Sequence, residues 1–197
     1  MFLTIKASGS SIYTEKGSKF LAIAVGCCTP KQALDKIAQT RKENPGCVHV
    51  CYAYRIGAEK TQFRFSDDGE PANSAGAPIF GQIKSSDLTN VLIVVVRYYG
   101  GTKLGVGGLI QAYKLVAKEA ILNSQIIEDE EKQNLRIKFT YPTLHIVMNK
   151  IKSSNCEILQ KKLDSQPEIL ISIPKSNRDR IVSLRKISGL ELSLIHI

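Results

Sequence analysis

The chain has 197 residues, 43% hydrophobic and 23% charged, with 14 glycines and 7 prolines, a composition that excludes disorder and fibrous architectures and leaves one large or two small folded domains. Its longest apolar run, Val91 to Val96, is far shorter than the roughly 20 residues needed to cross a bilayer. The formal net charge is +9, from 27 Lys and Arg against 18 Asp and Glu, which points toward an anionic partner rather than a membrane span.

Lys19 to Cys27 reads as a strand. Thr29-Pro30 then opens a helix, with proline in the first turn and Gln32 three residues after the cap. Ala33, Leu34, Ile37 and Ala38 form its expected buried stripe. Cys47 to Gly57 alternates like a half-exposed strand, Gln62 to Phe65 is a shorter one, and Asp68-Gly69 is a turn signal. Pro78 to Lys84 fits a short helix. Asn90 to Arg97 is a nearly continuous β-branched run, as a strand covered on both faces requires. From Gly108 to Asn123, Leu109, Ala112, Val116 and Ala120 recur at helical spacing.

The polar run Glu128 to Asn134 reads as a linker between domains 1–134 and 135–197. Beyond it the order is βαββαβ: strand Leu135 to Tyr141, helix Pro142 to Ser153, strands Cys156 to Lys162 and Glu168 to Ile173, helix Ser176 to Ile187, strand Leu190 to Ile197. Ser176 and Asp179 stand in capping-box spacing. This is a ferredoxin-like unit of about 63 residues, near the lower limit for a domain. Residues 1–134 hold 16 basic and 13 acidic side chains (+3), and residues 135–197 hold 11 and 5 (+6). The excess therefore concentrates in the second domain, where Lys150, Lys152, Lys161, Lys162, Arg178, Arg185 and Lys186 form a basic surface suited to nucleic acid or, equally, a merely solvated face.

Two segments carry the candidate chemistry. Arg97-Tyr98-Tyr99-Gly100-Gly101-Thr102-Lys103-Leu104-Gly105-Val106-Gly107-Gly108 places glycines between a buried strand and a helix. Glycines let a ligand approach the main chain, and a helix amino terminus offers free N–H groups to an anion, with Arg97 and Lys103 adding charge. The segment is neither a Walker A loop nor a complete dinucleotide fingerprint, and tight helix-on-strand packing is its structural alternative. The second segment, Ser66-Asp67-Asp68-Gly69-Glu70-Pro71 through Ala75, Gly76 and Pro78, holds three carboxylates within four residues. These suit Mg²⁺ contacts or, without calcium-loop spacing, a turn and a helix cap, and no metal site is assigned.

Nucleophilic catalysis has little support. Cys47, His49 and Cys51 share one face of a strand, which fits a packed cysteine and a surface histidine, and Ser66 lacks a nucleophile-elbow setting. The five cysteines are odd in number and lack CxxC spacing, so reduced thiols and no structural zinc are expected. The first ten residues lack the pattern of a secretory signal, and a cytoplasmic protein is expected.

Taken together, SDDGEPANSAGAP and VVVRYYGGTKLGVGGLIQAY, with Lys16-Gly17-Ser18-Lys19-Phe20 upstream, resemble the YigZ/IMPACT family in its bacterial two-domain form. The family motif falls on Ser66, Asp67, Asp68, Gly69, Glu70, Pro71, Ala75, Gly76 and Pro78, and on Arg97, Tyr98, Tyr99, Gly100, Gly101, Leu104, Gly105, Gly107 and Gly108. Two positions depart from the pattern: Asn73 stands where glycine is usual, and Ala77 where a basic residue is frequent. The resemblance implies an α+β protein. Its first domain would be like the second domain of ribosomal protein S-five, a mixed sheet with helices on one side, and its second like a ferredoxin-like domain of elongation factor G. In eukaryotic relatives the shared domain is associated with control of translation initiation through a starvation-sensing kinase, a role not carried over to a bacterial-type chain.

The expectation is a nonenzymatic, translation-associated protein that needs no cofactor and binds RNA, a ribosomal component or a translation-related protein. Arg97, Lys103 and the Gly100 to Gly108 amides would contact phosphate, and Tyr98 or Tyr99 would stack on a base. The rival is an enzyme acting on a phosphorylated small molecule, with a metal on Asp67, Asp68 or Glu70. It requires the two motifs to converge. A flat, uncharged motif surface would instead mark a protein-interaction module.

Overall fold

The computed structural model describes residues 1–195, which divide into two compact units, Met1–Asp129 and a second from Glu130 onward. The first contains β1 (Phe2–Ala7), β2 (Gly9–Glu15), β3 (Ser18–Gly26), α1 (Pro30–Glu43), β4 (His49–Ile56), β5 (Gln62–Ser66), α2 (Gly76–Ser85), β6 (Val91–Tyr98), α3 (Gly105–Leu122) and β7 (Gln125–Asp129). A five-stranded sheet has the order β2-β3-β6-β4-β5, and β1 pairs with β7 in a separate two-stranded ribbon.

Strand β6 explains the architecture. Its alternate residues Val91, Ile93 and Val95 pack under α2 and α3, while Leu92, Val94 and Val96 pack toward α1, so a nearly unbroken apolar run serves two cores. Helices therefore lie on both faces, a correction to the one-sided arrangement expected from the resemblance. Each ladder of this sheet is antiparallel, because β6 inserts between β3 and β4, which would otherwise lie side by side in parallel. The expected mixed character is confined to one isolated parallel bridge, Leu3 to Leu88.

Helix α1 starts as its sequence predicts: Thr29 Oγ1 accepts from Gln32 N at 3.2 Å, and Gln32 Oε1 accepts from Cys28 N at 2.9 Å. Its buried stripe is narrower than expected. Ala33 is buried and Ile37 packs partly against the same cluster, whereas Leu34 and Ala38 are exposed. Strand β4 is buried on both faces rather than half-exposed, since it lies between α1 and α2.

The second unit contains β8 (Lys132–Lys138), α4 (Leu144–Ser153), β9 (Glu157–Lys162), β10 (Glu168–Pro174), α5 (Arg178–Val182) and β11 (Glu191–Ile195). Its four strands pair antiparallel in the order β11-β8-β10-β9, the topology of a ferredoxin-like βαββαβ unit. Leu135, Ile137, Ile169, Ile171 and Ile173 point to one face, where Val147, Ile151, Ile181 and Leu184 cover them. The expected helix Ser176 to Ile187 is instead α5 flanked by 3₁₀ turns at Lys175–Asn177 and Ser183–Lys186. Ile181, Leu184 and Ile187 recur every third residue, the repeat of a 3₁₀ helix, and the proposed capping box makes no side-chain cap.

The polar run 128–134 is largely strand: Glu128 and Asp129 belong to β7, paired with β1, and Lys132 to Asn134 open β8. The last two residues of the expected terminal strand lie outside the described residues. No described helix is long and apolar enough to cross a membrane, and the cysteines are free thiols.

Candidate functional site

After β5 the chain turns through Asp68 (φ +45°) and Gly69 (φ +88°). The Asp67 carboxylate accepts from the backbone N–H groups of Asn73 (2.9 Å), Ala75 (2.9 Å) and Gly76 (2.8 Å), and so closes the start of α2. Asp68 Oδ2 accepts from Val50 N at 2.6 Å and from the Arg41 guanidinium. Gly76 has room for no side chain, because a Cβ there would lie 2.8 Å from the Ser66 backbone. Asn73 adopts φ +61°, the left-handed conformation that glycine takes without strain and that asparagine tolerates better than most residues.

The glycine-rich segment is anchored by Arg97, the last buried residue of β6. Its Nη1 donates to Glu70 Oε1 at 2.6 Å and its Nη2 to Ser18 Oγ at 3.4 Å. Ser18 Oγ also accepts from Gly100 N at 3.2 Å. Glu70 Oε1 accepts a second hydrogen bond, from Tyr113 OH at 2.8 Å, and Cys51 Sγ lies 3.3 Å from that hydroxyl. Burial pushes both the Cys51 thiol and the Tyr113 phenol well above their ordinary values, which keeps this chain of contacts neutral at its inner end. His49 Nδ1 sits 2.7 Å from the Asp68 carbonyl oxygen, and its Nε2 faces Glu70 Oε2 at 3.9 Å.

The two motifs converge on a depression of about 430 Å³ in the first unit. His49, Glu70, Pro71 and Arg97 contribute from one side, and Tyr99, Lys103 to Val106 and Leu109 from the other. Helix α3 begins there without a side-chain cap, and a Cβ at Gly101, Gly105 or Gly107 would meet nothing within 4 Å. Its first N–H groups are thus approachable. Tyr99 is 48% exposed, whereas Tyr98 turns to the α1 side and donates to Asn44 Oδ1 at 3.1 Å.

A family model described as the Impact N-terminal domain matches residues 16–121. The chain belongs to the IMPACT family. An IMPACT family member of Thermus thermophilus is 47% identical over 104 residues, covering 53% of this chain and 55% of that one, so the match spans about half the relative's length. The Bacillus subtilis member YvyE is 30% identical over 153 residues, covering 78% of this chain and 70% of that one. A crystal structure of a hypothetical protein overlays with a TM-score of 0.75 at 26% identity, covering 99% of this chain and 97% of the other.

Within this IMPACT family chain, the sequence-picked residues take different places. Arg97 and Glu70 are buried and paired with each other, Asp67 and Asp68 hold backbone, and Gly100 packs against Gly17. Lys103, Gly105 and Gly107 stay open. In the second unit, Lys150 and Lys152 lie on α4, Lys161 and Lys162 on the exposed edge strand β9, and Arg178, Arg185 and Lys186 on α5 and the turn after it. They are spread over several elements, and lysines on an edge strand also discourage strand-to-strand association.

Sequence reasoning held Ser18 and Tyr113 within the family segments without giving either a role, passed over Arg41, and read His49 as a surface residue. Tyr113 carries a usable signal: a hydroxyl within the buried stripe of α3 requires a partner. Arg136 and Lys138 were also missed; they border hollows of about 580 and 730 Å³ in the second unit.

Proposed function

We propose that the protein is a nonenzymatic, translation-associated regulatory protein that binds RNA or a ribosomal component. The observation that carries this reading is the uncapped start of α3, with side-chain-free Gly105 and Gly107 beside exposed Lys103 and Tyr99. Free N–H groups and the positive helix end suit a phosphate, and Lys103 adds charge beside it. The exposed lysines and arginines of the second unit supply sequence-independent attraction. Family membership and the ferredoxin-like second unit support the link to translation. Arg97, committed to Glu70 and Ser18, steadies the site from beneath rather than meeting phosphate.

The test is RNA binding and ribosome co-sedimentation across a salt series, comparing wild type with Lys103→Ala combined with Tyr99→Ala. Salt-sensitive binding that weakens in the variant is the expected result. A flat salt response or no binding overturns the reading.

One observation favours a second reading, an enzyme acting on a phosphorylated small molecule: His49 and Glu70 line the same depression as the start of α3. Its metal arm gains no support, since Asp67 and Asp68 are committed to backbone and Arg41. Turnover of a phosphate ester that is lost in His49→Ala would decide for it.

A further inference from the structure

We propose that two adjoining hollows of the second unit form a groove for a short single-stranded segment of RNA, with a base stacked on Tyr141 and phosphates on Lys138, Arg136 and Arg185. The groove is a specific site where the function proposed above assigned only general attraction, and it rests on that reading for RNA as the ligand.

Strand pairing sets the position of the cations. Leu135 and Ile137 point into the core of the unit, so Arg136 and Lys138, alternating with them on β8, emerge on the opposite face of the sheet. In register, Lys138 pairs with Glu191 and Arg136 with Ser193 of β11, which ends the sheet. Arg185, in the turn after α5, reaches the same edge, where its Nη2 donates to Leu192 O at 3.2 Å. All three cations border the hollow of about 580 Å³, and Lys138 and Tyr141 border that of about 730 Å³. The two hollows share Lys138, Leu190 and Glu191, so one continues into the other.

The fold leaves these cations available. In the first unit Arg41, Arg55, Lys60 and Arg97 each meet a carboxylate at hydrogen-bonding distance. In the groove, by contrast, Arg136 has only Glu168 at 3.7 Å, beyond a hydrogen bond, and the Arg185 contact is to a neutral carbonyl. Among the described residues Lys138 makes no ion pair or hydrogen bond. Three cations thus face one lining carboxylate, that of Glu191. Arg136 and Lys138 stand two residues apart on a strand, about 7 Å, a step that successive phosphates of an extended strand can follow.

The aromatic ring selects the form of the ligand. Tyr141 is 53% exposed and opens a 3₁₀ turn whose backbone is held by the Leu144 N–H on Tyr141 O, by Pro142, and by Thr143 Oγ1 on Thr140 O at 2.8 Å. An exposed ring on a fixed backbone beside a cation is a platform for a base. Bases inside a duplex already have both faces covered, so only an unpaired base can take this ring. An acidic peptide would satisfy the cations and leave the ring without a flat partner.

The test is fluorescence anisotropy of the full chain with a short labelled oligouridylate, with its duplex, its deoxy counterpart and poly-glutamate as competitors. The single strand should bind, and the duplex and poly-glutamate should compete poorly. Tyr141→Ala should weaken binding about tenfold and Tyr141→Phe should retain it. Lys138→Gln combined with Arg185→Gln should flatten the slope of log K against log salt by about 1.4, roughly 0.7 for each phosphate released. These side chains are exposed, so thermal melts of the variants should match wild type. Ultraviolet cross-linking should join the oligonucleotide to the peptide that carries Tyr141.

Binding unchanged in Tyr141→Ala and in the double variant, or poly-glutamate competing as well as RNA, overturns the groove. RNA binding that survives those variants but is lost in Lys103→Ala combined with Tyr99→Ala overturns the groove and leaves the function proposed above standing. Preference for the deoxy strand overturns RNA as the ligand and that function with it, and absence of binding overturns both.

Discussion

Arg97 Nη1 and Glu70 Oε1 meet at 2.6 Å with 5% and 8% of their residues exposed, and this ion pair joins the two motifs. Its strength as a structural tie follows from what its loss leaves behind. Arg97→Ala strands a buried carboxylate and should cost about 3–5 kcal/mol, read as a lower urea midpoint. Glu70→Gln should cost less, because the amide oxygen still accepts from Tyr113. Binding lost in Arg97→Ala is therefore no evidence of a ligand contact, whereas binding lost in Lys103→Ala is.

The glycines of the second motif divide by what surrounds them. At Gly100 a Cβ would lie 1.9 Å from the Gly17 carbonyl carbon, and backbone against backbone cannot yield. Gly100→Ala should fail to fold or unfold at much lower temperature. At Gly107 the same methyl meets nothing within 4 Å, and the position lies inside α3. Gly107→Ala should raise stability by up to about 1 kcal/mol while weakening RNA binding by crowding the helix start. Thermal melts and binding curves on the same two samples check both halves.

Alkaline pH should unfold the first unit early, for a reason rooted in the contact chain beneath the depression. Burial raises the Cys51 thiol and the Tyr113 phenol above their unfolded values. As pH rises past the ordinary thiol and phenol values, the unfolded chain releases protons that the folded chain retains. Unfolding then gains about 1.4 kcal/mol per pH unit for each group. Stability is flat below pH 8 for these groups and falls above it. Tyr113→Phe should remove one proton's worth of that slope above about pH 10, measured by urea unfolding at stepped pH; an unchanged slope would remove Tyr113 as the cause.

The parts of this fold legible in the sequence are those whose periodicity reports burial directly. The apolar run of β6 announced a strand covered twice, and Leu109, Ala112, Val116 and Ala120 announced α3. β1 and β7 escaped because their pairing joins residues such as Phe2 and Asp129 from opposite ends of the unit, and neither strand has a run that declares itself alone. The carboxylates were legible as a turn and cap, which is what Asp67 does, but their partners were not. Arg41, Ser18 and Tyr113 reach the site from three different elements, and only the tertiary fold brings them together.

Salt should separate the contributions of the two units. Each phosphate neutralised on a single strand contributes a slope of about −0.7 in log K against log salt. Lys103→Ala should therefore flatten the slope by about 0.7, with a loss of affinity that is largest at low salt. Lys161→Ala combined with Lys162→Ala removes two exposed charges from β9 and should flatten it by up to about 1.4 if both meet phosphate. An unchanged slope in the β9 variant would instead assign those lysines to protecting a sheet edge, and the same variant would then self-associate in analytical ultracentrifugation. The two variants change exposed positions in different compact units, and effects that add in the combined triple variant would show that the two contributions are independent.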